Sequence, residues 1–413
     1  MTQKLFPHPF SRRSFLRCAA SLALMHSAIG NAQTTASPLK SGSVRGYVGT
    51  YTGTPGSGSN GEGIYLFEMN QASGELSHRK LVASTPNPSW IVIHPSRKFL
   101  YAVNEVKDYK AGTGSVSSFS IDSATGDLQA INTVQSEGSE PAHLSIDATG
   151  RFAFVANYGG GSVAVLPILP DGSLGTAVDI HRDSDSLGSV QPHNAPAGSF
   201  AFSGHDAPHA HMIAPDLANK YVLASDLGQD RIYCYRFDST TGELSTSADQ
   251  PFVTLPSGDG PRHFAFHPNG HWLFAIQEEA STITTFAYDQ ATGMLTAQHT
   301  ISALPAGFAG SSFASEILVA PNGRFLYAAN RLHDSIAVFA IESDGILRRV
   351  GEVPTMGDYP GQCRIDPSGH FLFACNRRSD SITAFRIHPS TGMPAFTGQY
   401  TAVGSPACIT FAS

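Results

Sequence analysis

The chain has 413 residues and a formal net charge of −7, with 26 Lys and Arg against 33 Asp and Glu. No basic run occurs beyond the extreme N-terminus, so the electrostatic footprint of a nucleic-acid or polyanion binder is missing. With 40 Gly, 26 Pro and only 14% charged residues, the composition suits many short, mostly buried strands joined by turns.

The N-terminus reads as targeting rather than fold. Ser11-Arg12-Arg13-Ser14-Phe15-Leu16 resembles a twin-arginine export signal, and the apolar stretch from Cys18 to Ile29 is too short to span a bilayer as a mature helix. Gly30-Asn31-Ala32 offers small residues for cleavage before Gln33. The resemblance implies a signal peptide over residues 1–32 read by the twin-arginine (Tat) export machinery. The mature protein would then be periplasmic or secreted, with no membrane segment. Residues 33–43 read as a polar linker and 44–413 as the folded domain.

From Tyr47 onward one pattern repeats. Its plainest copy is PRHFAFHPNGHWLFAIQE, from Pro261 to Glu278; others start at Pro88, Pro141, Glu316 and Pro360, and a lengthened one at Pro208. Each copy gives a proline, a short first strand, a tight turn and an uninterrupted apolar second strand. A third strand, a Thr-Gly type turn and a fourth strand follow. Four antiparallel strands in each unit of about fifty residues is the signature of a propeller blade. Continuous apolar second strands fit, because stacked blades cover a central strand on both faces. First strands begin near Pro88, Pro141, Pro208, Pro261, Phe313, Pro360 and Pro406, which makes seven. The last stands alone at the C-terminus, while the N-terminal strands lack a first strand. An all-β, seven-bladed propeller closed by both termini in one blade is therefore expected.

The spacing stretches at Arg182 to Asp206, rich in Ser, Gly, Pro and His. Such an insertion is expected on the face where blades connect, where it can act as a lid. Cys234, Cys363, Cys375 and Cys408 lie in apolar strands without metal spacing and read as core thiols.

Registering the copies places two polar circles on one face. Two residues after each unit proline come Trp90, His143, His263, Gln362 and Cys408, with His211 and Glu316 filling the irregular copies. The second strands end on Asn104, Asn157, Asp226, Gln277, Asn330 and Asn376; Glu105, Tyr158, Glu278, Arg331 and Arg377 lie just beyond. Asn and Asp at strand ends often only make turns. Different titratable groups at equivalent positions of each copy instead mark a binding site at the axis. His209 and His211, at alternate positions, suit a metal pair with a third ligand from Asp226, Glu278 or His263. Such pairs are common without metal, and neither metal nor other cofactor is expected. No GxSxG elbow occurs, and Gly159-Gly160-Gly161 opens a strand rather than a phosphate-binding helix.

PHAHM with DLGQDRIYCYRFD, PRHFAFHPNG with Glu278 sixteen residues after Arg262, and SEILVAPNGRFLYAANRLHDSIAVF together resemble the lactonase family of seven-bladed propellers. That family includes propeller-type 6-phosphogluconolactonases and carboxymuconate lactonising enzymes. The resemblance implies a metal-independent site at the channel mouth built on His211, Arg262, Glu278 and Arg331. A small-molecule lactone would be the partner, opened by activated water with Glu278 or His211 as base. Arg262 and Arg331 would hold the oxyanion or a substrate carboxylate. His143, Asn157, His209, Asp226, His263, Glu316 and Asn330 are expected to bind the substrate. The alternatives are lactonising chemistry on a muconate-type dicarboxylate, or a non-catalytic periplasmic binding propeller.

Overall fold

The computed structural model describes residues 39, 41–53, 59–184, 186–199 and 204–412. The export-signal reading of residues 1–32 and most of the expected linker lie outside the described residues. The first strand begins at Ser43, one residue ahead of the expected domain start.

Seven antiparallel sheets form the seven-bladed propeller. Blade I joins Pro406–Ala412, as its inner strand, to Ser43–Thr50, Ile64–Asn70 and Leu76–Ala83. Both termini therefore close one blade. The inner strands of blades II to VII are Ile91–Ile93, Pro141–Ile146, Ala210–Pro215, Pro261–Phe266, Ala314–Val319 and Pro360–Ile365. The inner strands are neighbours around the axis. Each has a free edge on the channel, which is why proline, lacking an N–H, is tolerated at its start. Blade IV departs from the pattern. Its outer strand is broken into Leu244–Thr246 and Phe252–Thr254, both paired with Arg231–Phe237.

Second strands such as Phe371–Asn376 are buried along their whole length. Facing blades share apolar layers: Phe371 and Phe373 of blade VII pack in one cluster with Val48, Phe67 and Ile409 of blade I. The seam is thus sealed by side chains as well as by the ladder between Ser43–Thr50 and the C-terminal strand. A recurring tie adds direction. The second-strand tyrosines Tyr47, Tyr101 and Tyr327 donate to the carbonyls of Gly126, Gly172 and Gly392 in the next blade, at 2.7, 3.0 and 2.9 Å. These glycines sit at positive φ in the turn before the outer strand, where a side chain would strain the backbone.

All four cysteines in the described residues are buried thiols. Among the described residues no helix is long and apolar enough to cross a membrane.

Candidate functional site

The start of each inner strand carries a small irregularity that builds the site. The register with the second strand slips between Pro141 and His143, Ala210 and Met212, Pro261 and His263, Ala314 and Ile317, and Pro360 and Gln362. Opposite Gly49 and Thr50 it slips again between Cys408 and Pro406. Each slip is a β-bulge, which inserts one residue and re-aims the side chains beside it. One slot holds the bulged residues Ala142, His211, Arg262, Ser315, Gly361 and Ala407. The next holds His143, Met212, His263, Glu316, Gln362 and Cys408.

This corrects one expected position. Ala210, not Pro208, pairs with the end of its second strand in the way Pro261 pairs with Gln277. His211 therefore shares the slot of Arg262 rather than that of His263.

The ends of the second strands supply the rim. Tyr51, Glu105, Tyr158, Glu278, Arg331 and Arg377 each lie one residue past a second strand, and all six line one cavity of about 200 Å³. His211, Arg262, His263 and Trp90 line it too. The seventh member of this register is Leu227, which is buried and apolar. Tyr51 was not singled out in the sequence, although it follows Thr50 as Glu105 follows Asn104.

On one wall Glu278 gathers two cations. Its Oε2 lies 2.9 Å from Arg262 Nε and 2.5 Å from Arg331, with all three side chains close to 12% exposed. Burial alone would raise the Glu278 pKa, but the guanidiniums of Arg331 and Arg262 outweigh it and hold the carboxylate below its ordinary value. Burial and Arg331 lower the Arg262 pKa against the pull of Glu278. Arg331, which burial would lower, is raised by Glu278 instead. Arg262 also donates to the Ser315 carbonyl.

Below this wall the tautomer of His263 can be read from its neighbours. Arg262 lies 3.4 Å from His263 Nε2, and a guanidinium can only donate, so Nε2 is the acceptor. The proton then sits on Nδ1, 3.0 Å from Glu316 Oε1. Burial pushes the Glu316 pKa up to about 7, against the pull of Arg262. The rings of His211 and His263 stand 5.0 Å apart, and those of His143 and His263 5.7 Å. Burial, then neighbouring positive charge, drives the pKa of all three histidines well below normal, so each is a neutral imidazole at neutral pH. His211 Nδ1 is buried without a hydrogen-bond partner.

Several expected substrate contacts are placed elsewhere. Asn157 Nδ2 donates to the Ser136 carbonyl at 2.8 Å, and Asn330 Nδ2 to the Ala303 carbonyl at 3.0 Å. These amides tie the end of a second strand to the residue just past the outer strand of the preceding blade. Asp226 accepts from the backbone N–H of His209 and Gln229. His209 stacks on Tyr158 at 4.2 Å and contacts Asp206 at 3.0 Å. Asn157, Asn330, Asp226, His209, His143 and Glu316 do not line the cavity. Both ring nitrogens of His209 are engaged, one by the Tyr158 carbonyl and one by Asp206. Among the described residues no group of three or more His, Cys, Asp or Glu is arranged to hold a metal.

The insertion lies on the cavity face. Gly188 bonds to Gly228, His193 to Ser257, Asn194 to Asp259, and Gly310 to Ala197. The buried His205–Asp230 contact of 3.1 Å anchors its end. These contacts reach the turn between the second and third strands of blade IV and the connections from blade IV to V and from V to VI. None of the segment's described residues lines the cavity.

Comparison with known proteins agrees with this geometry. A family profile described as "Lactonase, 7-bladed beta-propeller" matches residues 45–411. The chain is similar to a 6-phosphogluconolactonase of Bacillus subtilis (strain 168), 34% identical over 316 residues, 76% of this chain and 83% of the relative. One from Formosa agariphila is 31% identical over 323 residues, covering 78% and 86%. Among solved structures, the periplasmic gluconolactonase PpgL of Pseudomonas aeruginosa superposes with a TM-score of 0.80 at 31% identity. That match covers 90% of this chain and 99% of that one.

Proposed function

Since the chain belongs to the lactonase family of seven-bladed propellers, we propose that its mouth cavity hydrolyses an unphosphorylated sugar lactone outside the cytoplasm. The chain is a lactonase, a carboxylic ester hydrolase, and the site residues carry the finer reading. Water adds to the lactone carbonyl and His211 takes its proton. The tetrahedral oxyanion is held by Arg262 and Arg331. The ring C–O bond then breaks to give the open hydroxy acid.

The choice of His211 over Glu278 as base follows from occupation. Glu278 is already ion-paired to both guanidiniums through one oxygen, which makes it their positioning anion and a poor proton acceptor. A neutral imidazole beside them is free to accept. The unphosphorylated substrate follows from the location proposed outside the cytoplasm. The export-signal resemblance and a structural neighbour described as periplasmic support the location.

The observation that carries the reading is the meeting of His211, Arg262, Glu278 and Arg331 around one cavity. The test is a pH-indicator assay of the mature protein on glucono-, galactono- and 6-phosphoglucono-lactones, with spontaneous opening subtracted. Acid release is expected from the unphosphorylated lactones and is expected to fall about 100-fold in Arg262→Ala, from the loss of an oxyanion donor. No lactone turned over above the enzyme-free control would reject it.

A further inference from the structure

Three blades round the ring from Glu278, on nearly the opposite wall, stands a polar group to which the mechanism above gives no task. Glu105 lines the same cavity, in the same register of blade II that Glu278 occupies in blade V. Tyr51 Oη donates to its Oε2 at 2.9 Å. The guanidinium of Arg377 covers the Tyr51 ring at 3.7 Å, and all three residues face the cavity.

We propose that Glu105 is the proton donor to the ring oxygen that leaves when the lactone opens. The inference rests on the lactonase reading above. Hydrolysis of a sugar lactone expels an alkoxide, a poor leaving group unless it is protonated as the C–O bond breaks. With the oxyanion against the two arginines, a ring oxygen turned to the facing wall needs its proton from that wall. Glu105 stands on that side, while Arg262 and Arg331 hold the other. With Oε2 accepting from Tyr51, the acidic proton of a neutral Glu105 sits on Oε1.

Electrostatics agree with this geometry. Burial raises the Glu105 pKa, and the nearby Glu140 charge adds to the rise; the hydroxyls of Ser89 and Tyr51 and the Arg377 charge oppose it. The two cavity carboxyls are thus pushed apart, Glu278 towards the anion and Glu105 towards the neutral acid. Glu105 is the one fitted to donate a proton, while Glu278 stays the anion that positions the two arginines.

In the step itself the ring C–O pair leaves with oxygen, which takes the Oε1 proton. Glu105 becomes a carboxylate, stabilised for that moment by Tyr51 and Arg377. The proton that His211 took from water returns to Glu105 through solvent, so lactone plus water gives hydroxy acid.

The test compares wild type, Glu105→Gln and Tyr51→Phe across pH on glucono-1,5-lactone and on an aryl lactone, dihydrocoumarin. Its phenolate leaves without help from an acid. Glu105→Gln keeps the shape and the Tyr51 contact but cannot act as an acid. It is expected to lose about 100-fold in kcat/KM on the sugar lactone and less than about threefold on the aryl lactone. The basic limb of the wild-type pH profile should vanish with it. In Tyr51→Phe that limb should move to higher pH, because a donor that lowers the Glu105 pKa is gone. Equal losses on both lactones, or a basic limb unchanged in Glu105→Gln, would overturn the assignment. If wild type does not accept the aryl lactone, the pH limb alone decides. Absence of any wild-type turnover removes the lactonase reading itself. Normal turnover in Glu105→Gln removes only this inference.

Discussion

Replacing Glu278 by Gln removes one charge and almost no volume, at the point where two cations meet. In the native protein its Oε2 lies 2.9 Å from Arg262 and 2.5 Å from Arg331. Breaking a buried ion pair from one side costs about 3–5 kcal/mol, because the remaining charge is left uncompensated. The cavity mouth admits water to these guanidiniums, so the low end, about 3 kcal/mol, is the better figure. The loss should show in urea denaturation of wild type, Glu278→Gln, Arg331→Gln and the double mutant. Once Glu278 is gone, removing Arg331 relieves a repulsion instead of breaking a pair. The two changes should therefore couple by about 1–3 kcal/mol, and the double mutant should be no less stable than Glu278→Gln. Both single variants should also lose lactone hydrolysis. Stability effects that add to within about 0.5 kcal/mol would refute the hub.

Glu316 gives a pH test of opposite sign. Its folded pKa, about 7, lies above the ordinary carboxyl value, so the fold favours its neutral form. That contribution is complete below the unfolded pKa, near ~4.3, and is lost as pH rises through 7. Glu316→Gln stays neutral, so its advantage over wild type should grow between pH 4 and 8 to at most about 4 kcal/mol; parallel stability curves would contradict this. At the closing seam Ile409 is fully buried, and Ile409→Ala should cost about 2–5 kcal/mol. Ile346, 46% exposed, is the control, and its Ala variant should stay within about 0.5 kcal/mol. If the two cost the same, the seam is not held as described. Exhaustive dialysis against a chelator should leave hydrolysis unchanged; loss restored by one divalent metal would reject the metal-independent mechanism.

The repeat made the architecture legible, because second strands such as Phe371–Asn376 are apolar on both faces and recur with their turns. Closure by both termini followed from a lone strand at Pro406 facing an N-terminal pair without one. What composition and spacing do not encode is where a strand slips. A bulge at His211 shifts it by one slot, and nothing in PHAHM distinguishes an extra residue before the strand from one within it. The same limit hid the orientation of the asparagines. Asn157 and Asn330 end their strands at the site face, yet their amides turn aside to carbonyls just past the outer strand of the preceding blade. The break in the outer strand of blade IV was equally invisible, since Ser247 to Gln250 reads like any polar turn. Residues one step further, such as Glu105, Glu278 and Arg331, leave the ladder and are free to face the cavity. Extending that register to the N-terminal copy would have found Tyr51.

The most direct measurement is a crystal structure with the aldonic acid product bound. The account predicts the new carboxylate between Arg262 and Arg331 at the mouth, with the freed hydroxyl on the side of Glu105. Product bound at the opposite end of the channel, or at the mouth with its carboxylate remote from both arginines, would contradict it.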